Sequence, residues 1–173
     1  MQNSTVRYII SFIGVLLLQV LVFSNFTPGF SVHLMVYPML IISLPFDMKP
    51  IWLMLLAFII GIIIDTFANT YGLHASASVF IAYARPELMK LLSPKEGYDP
   101  LLKPSIKDMG LQWYAVMAVT ITLIHHLWFF IFESFNLYDF GFILLKTLLS
   151  TLVSILIMIA LQYIFFKCIV NWI

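Results

Sequence analysis

Five polar residues that could do chemistry stand in or beside apolar stretches of the sequence: Asp65, His74, His126, Glu133 and Lys146. His126 and Glu133 are seven positions apart, which places them two turns apart on one helix face. Imidazole and carboxylate suit zinc, iron or manganese, so one interpretation is a metal site. A second is hydrogen bonding within a helix bundle, and a third is a groove for a partner or ligand.

The sequence lacks the motifs by which such residues usually serve enzymes. It contains no Gly-rich phosphate loop, no HExxH pair and no serine in a nucleophile elbow. The dipeptide His125-His126 lacks the glutamate and the i+4 histidine of a zinc protease. An intramembrane aspartyl protease needs two aspartates, and Asp65 is the only one well inside a predicted helix. We therefore expect no catalytic activity, no metal and no cofactor.

The composition indicates a membrane protein with several spans. Hydrophobic residues make up 62% of the 173-residue chain and charged residues only 10%, outside the usual range of soluble domains. The net charge of +1 gives no reason to expect nucleic-acid binding. We predict an all-α fold, a six-transmembrane-helix bundle forming one domain over 1–173. Its helices are expected at about 7–24, 32–46, 51–68, 73–92, 111–132 and 141–166, with a charged cytoplasmic loop at 93–110.

Three residues qualify this plan. The second predicted helix is short and carries Pro38, so it should be kinked or span incompletely. The fourth can span only if Arg85 reaches toward the interface along its aliphatic stem. Gln19 in the first helix is expected to hydrogen-bond to a neighbouring helix.

The distribution of lysine and arginine predicts the orientation. If six helices span, only Lys146 lies toward the side opposite the termini. The other eight basic residues fall on the side shared by both termini: Arg7, Lys49, Arg85, Lys90, Lys95, Lys103, Lys107 and Lys167. By the positive-inside rule both termini are cytoplasmic, and the five polar residues lie near the outer ends of their helices.

Asp65 is the most informative carboxylate because it lies deep in an apolar run. About 15 residues of helix at roughly 1.5 Å each place it ~23 Å along a ~30 Å hydrocarbon core, where a charge costs roughly 2.5–3.5 kcal/mol on insertion scales. We expect its charge to be met by backbone N–H groups at the start of the next helix, with His74 as a further hydrogen-bond partner. Gly72 permits a tight, left-handed turn between the two helices.

The arrangement Gly61-x3-Asp65-x6-Gly72-Leu73-His74-Ala75 resembles the MreD family of rod shape-determining integral membrane proteins. The motif covers about 15 residues, while chain length and the apolar six-segment plan agree over nearly the whole chain. The charged segment 86–110 departs from the tighter connection expected there. The resemblance implies that Gly61, Asp65, Gly72, Leu73 and His74 form a structural hairpin that presents a partner surface.

The resemblance also implies a role and partners. The implied role is that of a noncatalytic scaffold of the cell-elongation (rod) complex in the bacterial inner membrane. The implied partners are MreC and, through it, RodA, a penicillin-binding transpeptidase and, indirectly, the MreB filament. The family is similar in architecture to the S components of ECF transporters. A vitamin-type solute-binding subunit with an outward pocket is therefore the alternative function, and an apolar groove would distinguish the scaffold from it.

Overall fold

The computed structural model describes residues 2–25, 32–99, 101–135 and 138–167, and all regular secondary structure there is helical. The elements are α1 (Gln2–Leu21), a 3-10 turn (Phe23–Asn25), α2 (Pro38–Ile42), α3 (Pro50–Ala68), α4 (Leu73–Leu91), α5 (Ile106–Met109), α6 (Leu111–Ser134), α7 (Phe140–Leu161) and a π-helical end (Gln162–Lys167). The all-α prediction is confirmed for this part of the chain.

Three of the described helices are long and apolar enough to cross a membrane: Pro50–Ala68, Leu111–Ser134 and Phe140–Ile164. In α1 a shorter apolar run covers Ile9–Leu21. The protein is thus a helical protein of membrane character, whereas the other three predicted spans and the position of both termini stay predictions.

The helix predicted at 32–46 is wrong in extent, because only Pro38–Ile42 is helical. Residues 32–36 are non-helical, yet almost all of them are buried. Side chains from α1 and α7 replace the missing helical hydrogen bonds. Gln19 Oε1 accepts from the Val36 N–H at 2.7 Å, and Ser154 Oγ accepts from the Met35 N–H at 3.1 Å. Irregular backbone among apolar helices is tolerated when protein groups satisfy it in this way.

Serine on α7 supplies a second bond to the same segment. Ser150 Oγ accepts from the His33 N–H at 3.0 Å, and Gln19 Nε2 donates to the Leu34 carbonyl at 3.0 Å. Gln19 therefore hydrogen-bonds to another part of the bundle, but its partner is irregular backbone, which corrects the expectation that it would be a neighbouring helix.

Arg85 does not extend toward the surface, which corrects the expectation that it would. It is 1% exposed, and its guanidinium donates to the carbonyls of Ile42 at 3.1 Å, of Leu44 and of Pro45 at 3.4 Å. These carbonyls lie at and after the C-terminal end of α2, where a cation is favoured. Helix α4 continues through Pro86 to Leu91.

The predicted charged loop is partly ordered by aromatic packing. Tyr98 stacks on Phe46 with ring centroids 4.3 Å apart, donates to the Met89 carbonyl at 2.9 Å and accepts from Trp113 Nε1 at 3.1 Å. Burial raises the pKa of the Tyr98 hydroxyl above its usual value, and the hydrogen bond from Trp113 partly opposes this. The loop is thereby fixed to the ends of α4 and α6.

Candidate functional site

The Asp65 carboxylate caps the first turn of α4 from the end of α3. Oδ1 accepts from the His74 N–H at 3.0 Å, and Oδ2 accepts from the Ala75 N–H at 2.9 Å. The Thr70 hydroxyl donates to Oδ1 at 2.7 Å. These N–H groups have no acceptor within their own helix, and the helix dipole favours an anion beside them. The expectation that backbone N–H groups meet this buried carboxylate is confirmed.

Two residues with positive φ turn the chain between α3 and α4. Asn69 ends α3 at φ +55°, and Gly72 precedes α4 at φ +90°. The left-handed conformation costs a glycine little because it has no Cβ. The left-handed turn expected at Gly72 is therefore present, and it places the first N–H groups of α4 over the Asp65 carboxylate.

Gly61 lets the two helices of the hairpin touch. A Cβ at this position would overlap the Cα of Ala75 and lie 2.7 Å from the Ala75 nitrogen and 2.8 Å from the His74 oxygen. Only hydrogen fits there without a backbone shift. Gly61 and Asp65, one turn apart, therefore contact the same first turn of α4, which gives a physical reason for their spacing.

The side chain of His74 does not pair with Asp65, which corrects the second part of that expectation. Its Nδ1 lies 3.1 Å from the Tyr37 hydroxyl, while only its backbone bonds to the carboxylate. The same hydroxyl is in close hydrogen-bond contact with His125 Nε2. His74, Tyr37 and His125 thus form a buried chain, which we call the His–Tyr–His chain.

Tyr37 was not identified from the sequence as a candidate site residue. Its neighbour Pro38 signalled a helix break, but no local pattern indicates that its hydroxyl lies between histidines 37 and 88 residues further along the chain. Ser78 lies one turn after His74. Its hydroxyl donates to the His74 carbonyl at 2.6 Å.

The outer polar cluster of His126, Glu133 and Lys146 only partly converges. Lys146 Nζ lies 2.6 Å from Glu133 Oε2 and 4.3 Å from the centroid of the Phe130 ring. His126 instead places Nδ1 2.8 Å from the Thr122 carbonyl of its own helix. No group of three histidine, cysteine, aspartate or glutamate side chains within the described ranges could hold a metal ion.

Two concave surfaces border the hairpin. An open apolar groove of about 550 Å³ runs between α3 and α4 beside Trp128 of α6, and we call it the hairpin groove. At the turn of the hairpin lies a smaller cavity of about 110 Å³ with both polar and apolar lining residues, which we call the polar cavity. Its polar lining residues are Gln19, Ser24, His33, Thr70, His74 and Glu133.

The site can therefore bind in two ways, through apolar contact in the groove and through polar groups in the cavity. Asp65 holds together the hairpin whose residues help to line both. The chain matches no protein-family profile, no curated protein and no solved structure.

Proposed function

We propose that this protein is a noncatalytic membrane scaffold of the bacterial cell-elongation (rod) complex. It binds MreC and so helps to couple the MreB filament to RodA and a penicillin-binding transpeptidase during peptidoglycan synthesis. The proposal includes an inner-membrane location with both termini cytoplasmic, as the lysine and arginine distribution favours.

The first support is that the motif resembling MreD has a definite structural role here. Gly61 allows the close approach of α3 and α4, Asp65 caps α4, and Gly72 makes the turn. A motif that shapes a hairpin, with both carboxylate oxygens bonded to donors of the turn and of α4, is suited to presenting a surface to a partner.

The observation that carries the proposal is the hairpin groove. Its walls are Met54, Phe58 and Ile62 of α3, Val79 and Tyr83 of α4, and Trp128. Small residues at its end, among them Gly72 and Ser76, let another backbone approach closely. Because lipid is as apolar as a side chain, membrane helices associate through such close packing. A membrane-embedded segment of MreC is the occupant we assign to this groove.

The size of the polar cavity favours the scaffold over a vitamin-type binding subunit. Pockets for drug-sized ligands typically enclose ~300–1,000 Å³, whereas this cavity encloses about 110 Å³. The larger concave surface is the apolar one, and it lacks the several polar groups that would orient a vitamin.

The test is copurification with the MreC protein of the same organism after co-expression. The groove variant Ile62→Trp fills the groove, and the matched control Ile59→Trp changes another exposed isoleucine of α3 that does not line it. We expect Ile62→Trp to reduce recovered MreC about tenfold, equivalent to about 1.4 kcal/mol of binding free energy, while Ile59→Trp leaves it unchanged.

Two results would contradict the proposal. If the unmodified protein brings down no MreC, the scaffold function is wrong. If the unmodified protein copurifies with MreC and both variants recover the same amount of it, the function stands but the groove is not the contact surface.

A further inference from the structure

The polar cavity reaches a histidine whose other ring nitrogen belongs to the His–Tyr–His chain. His74 lines the cavity, and its Nδ1 is occupied by the Tyr37 hydroxyl at 3.1 Å. The nitrogen left for a cavity occupant is therefore Nε2. A cavity of about 110 Å³ is smaller than the ~150 Å³ cavity that takes up benzene, and with polar groups in its lining it is suited to a few water molecules.

Most other polar groups of the cavity wall are already paired. Gln19 bonds to the backbone of Leu34 and Val36, the Thr70 hydroxyl donates to Asp65, and Glu133 pairs with Lys146. His74 thus combines contact with the cavity and contact with the buried interior.

The Tyr37 hydroxyl has one hydrogen and two histidine neighbours. It can donate to only one of them, so it must accept from the other. Ser78 Oγ lies 3.4 Å from the Tyr37 hydroxyl, and its own hydrogen is directed to the His74 carbonyl at 2.6 Å, so it is a third and longer partner for the Tyr37 hydrogen. Over the two short contacts the uncharged chain therefore has two arrangements, in which Tyr37 donates either to His74 or to His125.

We propose that His74 is a proton-binding site served by the polar cavity, and that Tyr37 transmits its protonation to the tautomer of His125. In one arrangement His74 Nδ1–H donates to Tyr37, Nε2 carries a free lone pair, and Tyr37 donates to His125 Nε2. A hydronium ion that reaches the cavity from solution gives a proton to that lone pair: one O–H bond breaks, one N–H bond forms, and a neutral water molecule remains. Protonated His74 has no ring acceptor left, so the opposite arrangement is lost.

The tautomer of His125 follows from the same count of hydrogen-bond donors and acceptors. When its Nε2 accepts from Tyr37, the neutral ring must carry its proton on Nδ1. That nitrogen is completely buried and has no hydrogen-bond partner among the described residues. Proton binding at the cavity thus shifts the population of a buried tautomer at the centre of α6.

Charged and titratable groups surround His74 from every packed element. Burial of the His74 ring opposes a proton there most strongly, the Asp65 carboxylate on α3 favours it, and Glu133 on α6 is neutralised by its ion pair with Lys146 on α7. The remaining groups, which oppose it when they are charged, are His33 before α2 and His125 and His126 on α6.

The experiment is ¹⁵N NMR of histidine-labelled protein in lipid nanodiscs, from about pH 8 to about pH 3, a range that extends below the ordinary histidine titration because the His74 ring is buried. Signals are assigned with single His→Gln variants. We expect His125 to pass from a tautomer mixture to the Nδ1–H form in step with the protonation of His74. In Tyr37→Phe, His74 should still titrate and His125 should no longer follow, whereas the exposed control Tyr138→Phe should behave as the unmodified protein.

A second variant keeps the test decisive if Tyr37→Phe does not fold. In His74→Gln the tautomer ratio of His125 should no longer depend on pH. The proposal is overturned if His74 does not titrate in the folded protein, if His125 does not respond, or if His125 responds equally in either variant. Each of these results leaves the proposed MreC scaffold unaffected, because that function depends on the hairpin groove.

Discussion

The carboxylate of Asp65 accepts a hydrogen bond from the backbone N–H of Ala75, ten residues further along the chain, at 2.9 Å. This bond joins the end of α3 to the start of α4 across their turn. It also explains how a carboxylate that is only 6% exposed is accommodated in an apolar helix. Donors that would otherwise lack an acceptor surround it.

The first prediction concerns the charge and shape of Asp65. Asp65→Asn keeps the shape and should lower the free energy of unfolding by about 1–2 kcal/mol, the scale of one charge-assisted hydrogen bond. Asp65→Leu leaves two backbone donors unpaired at roughly 1–3 kcal/mol each and should cost more. Thermal melting of the detergent-solubilised protein measures both, with the exposed Asp139→Asn as control. A stable Asp65→Leu protein that loses MreC would make Asp65 a direct partner contact.

A second prediction concerns the contact of Gly61 with α4. Gly61→Ala adds a methyl group where the backbone of Ala75 already lies, and such overpacking typically costs about 1–3 kcal/mol. The matched control is Gly141→Ala, because a methyl group there meets nothing within 4 Å. We expect a lower melting temperature for the first variant alone, and equal melting of both would contradict the described helix contact.

Arg85 provides a third prediction. Replacing it with methionine keeps much of the aliphatic volume but removes the donors to the Ile42, Leu44 and Pro45 carbonyls. At about 1.5–3 kcal/mol for a hydrogen bond to a charged group, Arg85→Met should lower the free energy of unfolding by at least about 2 kcal/mol. The exposed Lys90→Met on the same helix should change it little. Equal unfolding midpoints in denaturant would show that the Arg85 bonds do not stabilise the fold.

The fourth prediction tests the side chains that satisfy the non-helical segment. Ser154→Ala leaves the buried Met35 N–H without its acceptor, at roughly 1–3 kcal/mol, and Ser150→Ala does the same to the part-buried His33 N–H at a lower cost. Hydrogen exchange at His33 and Met35 should speed up in the corresponding variant. Thr120→Ala is the control because that hydroxyl bonds to the Val116 carbonyl of its own helix. Unchanged exchange in both serine variants would mean that other groups protect these amides.

Tyr98 supplies a prediction on pH. Because burial raises the pKa of its hydroxyl in the folded protein, the stabilisation is complete below the ordinary tyrosine pKa of about 10 and is lost as the pH rises through the raised value. Tyr98→Phe also loses the bonds to Met89 and Trp113 and should be less stable at neutral pH. The melting temperatures of the two proteins should therefore differ at neutral pH and converge at alkaline pH. A constant difference across that range would contradict this account.

The hairpin could be predicted from sequence because its signals are local. Helix α3 was predicted at 51–68 and is observed at Pro50–Ala68, and α4 was predicted at 73–92 and is observed at Leu73–Leu91. Pro50 suits the first turn of a helix, Gly72 suits a left-handed turn, and Asp65 is within ten residues of its donors. Each of these features involves residues close together in the sequence, so a local sequence pattern is enough to predict it.

Interactions between distant residues account for what was missed. The break before Pro38 is stabilised by serines 117 and 119 residues away, and Arg85 reaches carbonyls about 40 residues earlier. A hydrophobic run and a proline indicate a kinked helix, but they do not show which side chains can replace its hydrogen bonds. The ring of His74 was likewise assigned to the near carboxylate instead of to Tyr37.

The non-helical segment 32–36 also has a consequence for the order of assembly. Two of its amides find their acceptors only on α7, which is made after nearly all of the other described helices. An N–H group without an acceptor in an apolar environment is unfavourable. The buried conformation of this segment is therefore unfavourable until α7 has been synthesised. We expect segment 32–36 to adopt its final conformation only after α7 has been made and has packed against the earlier helices.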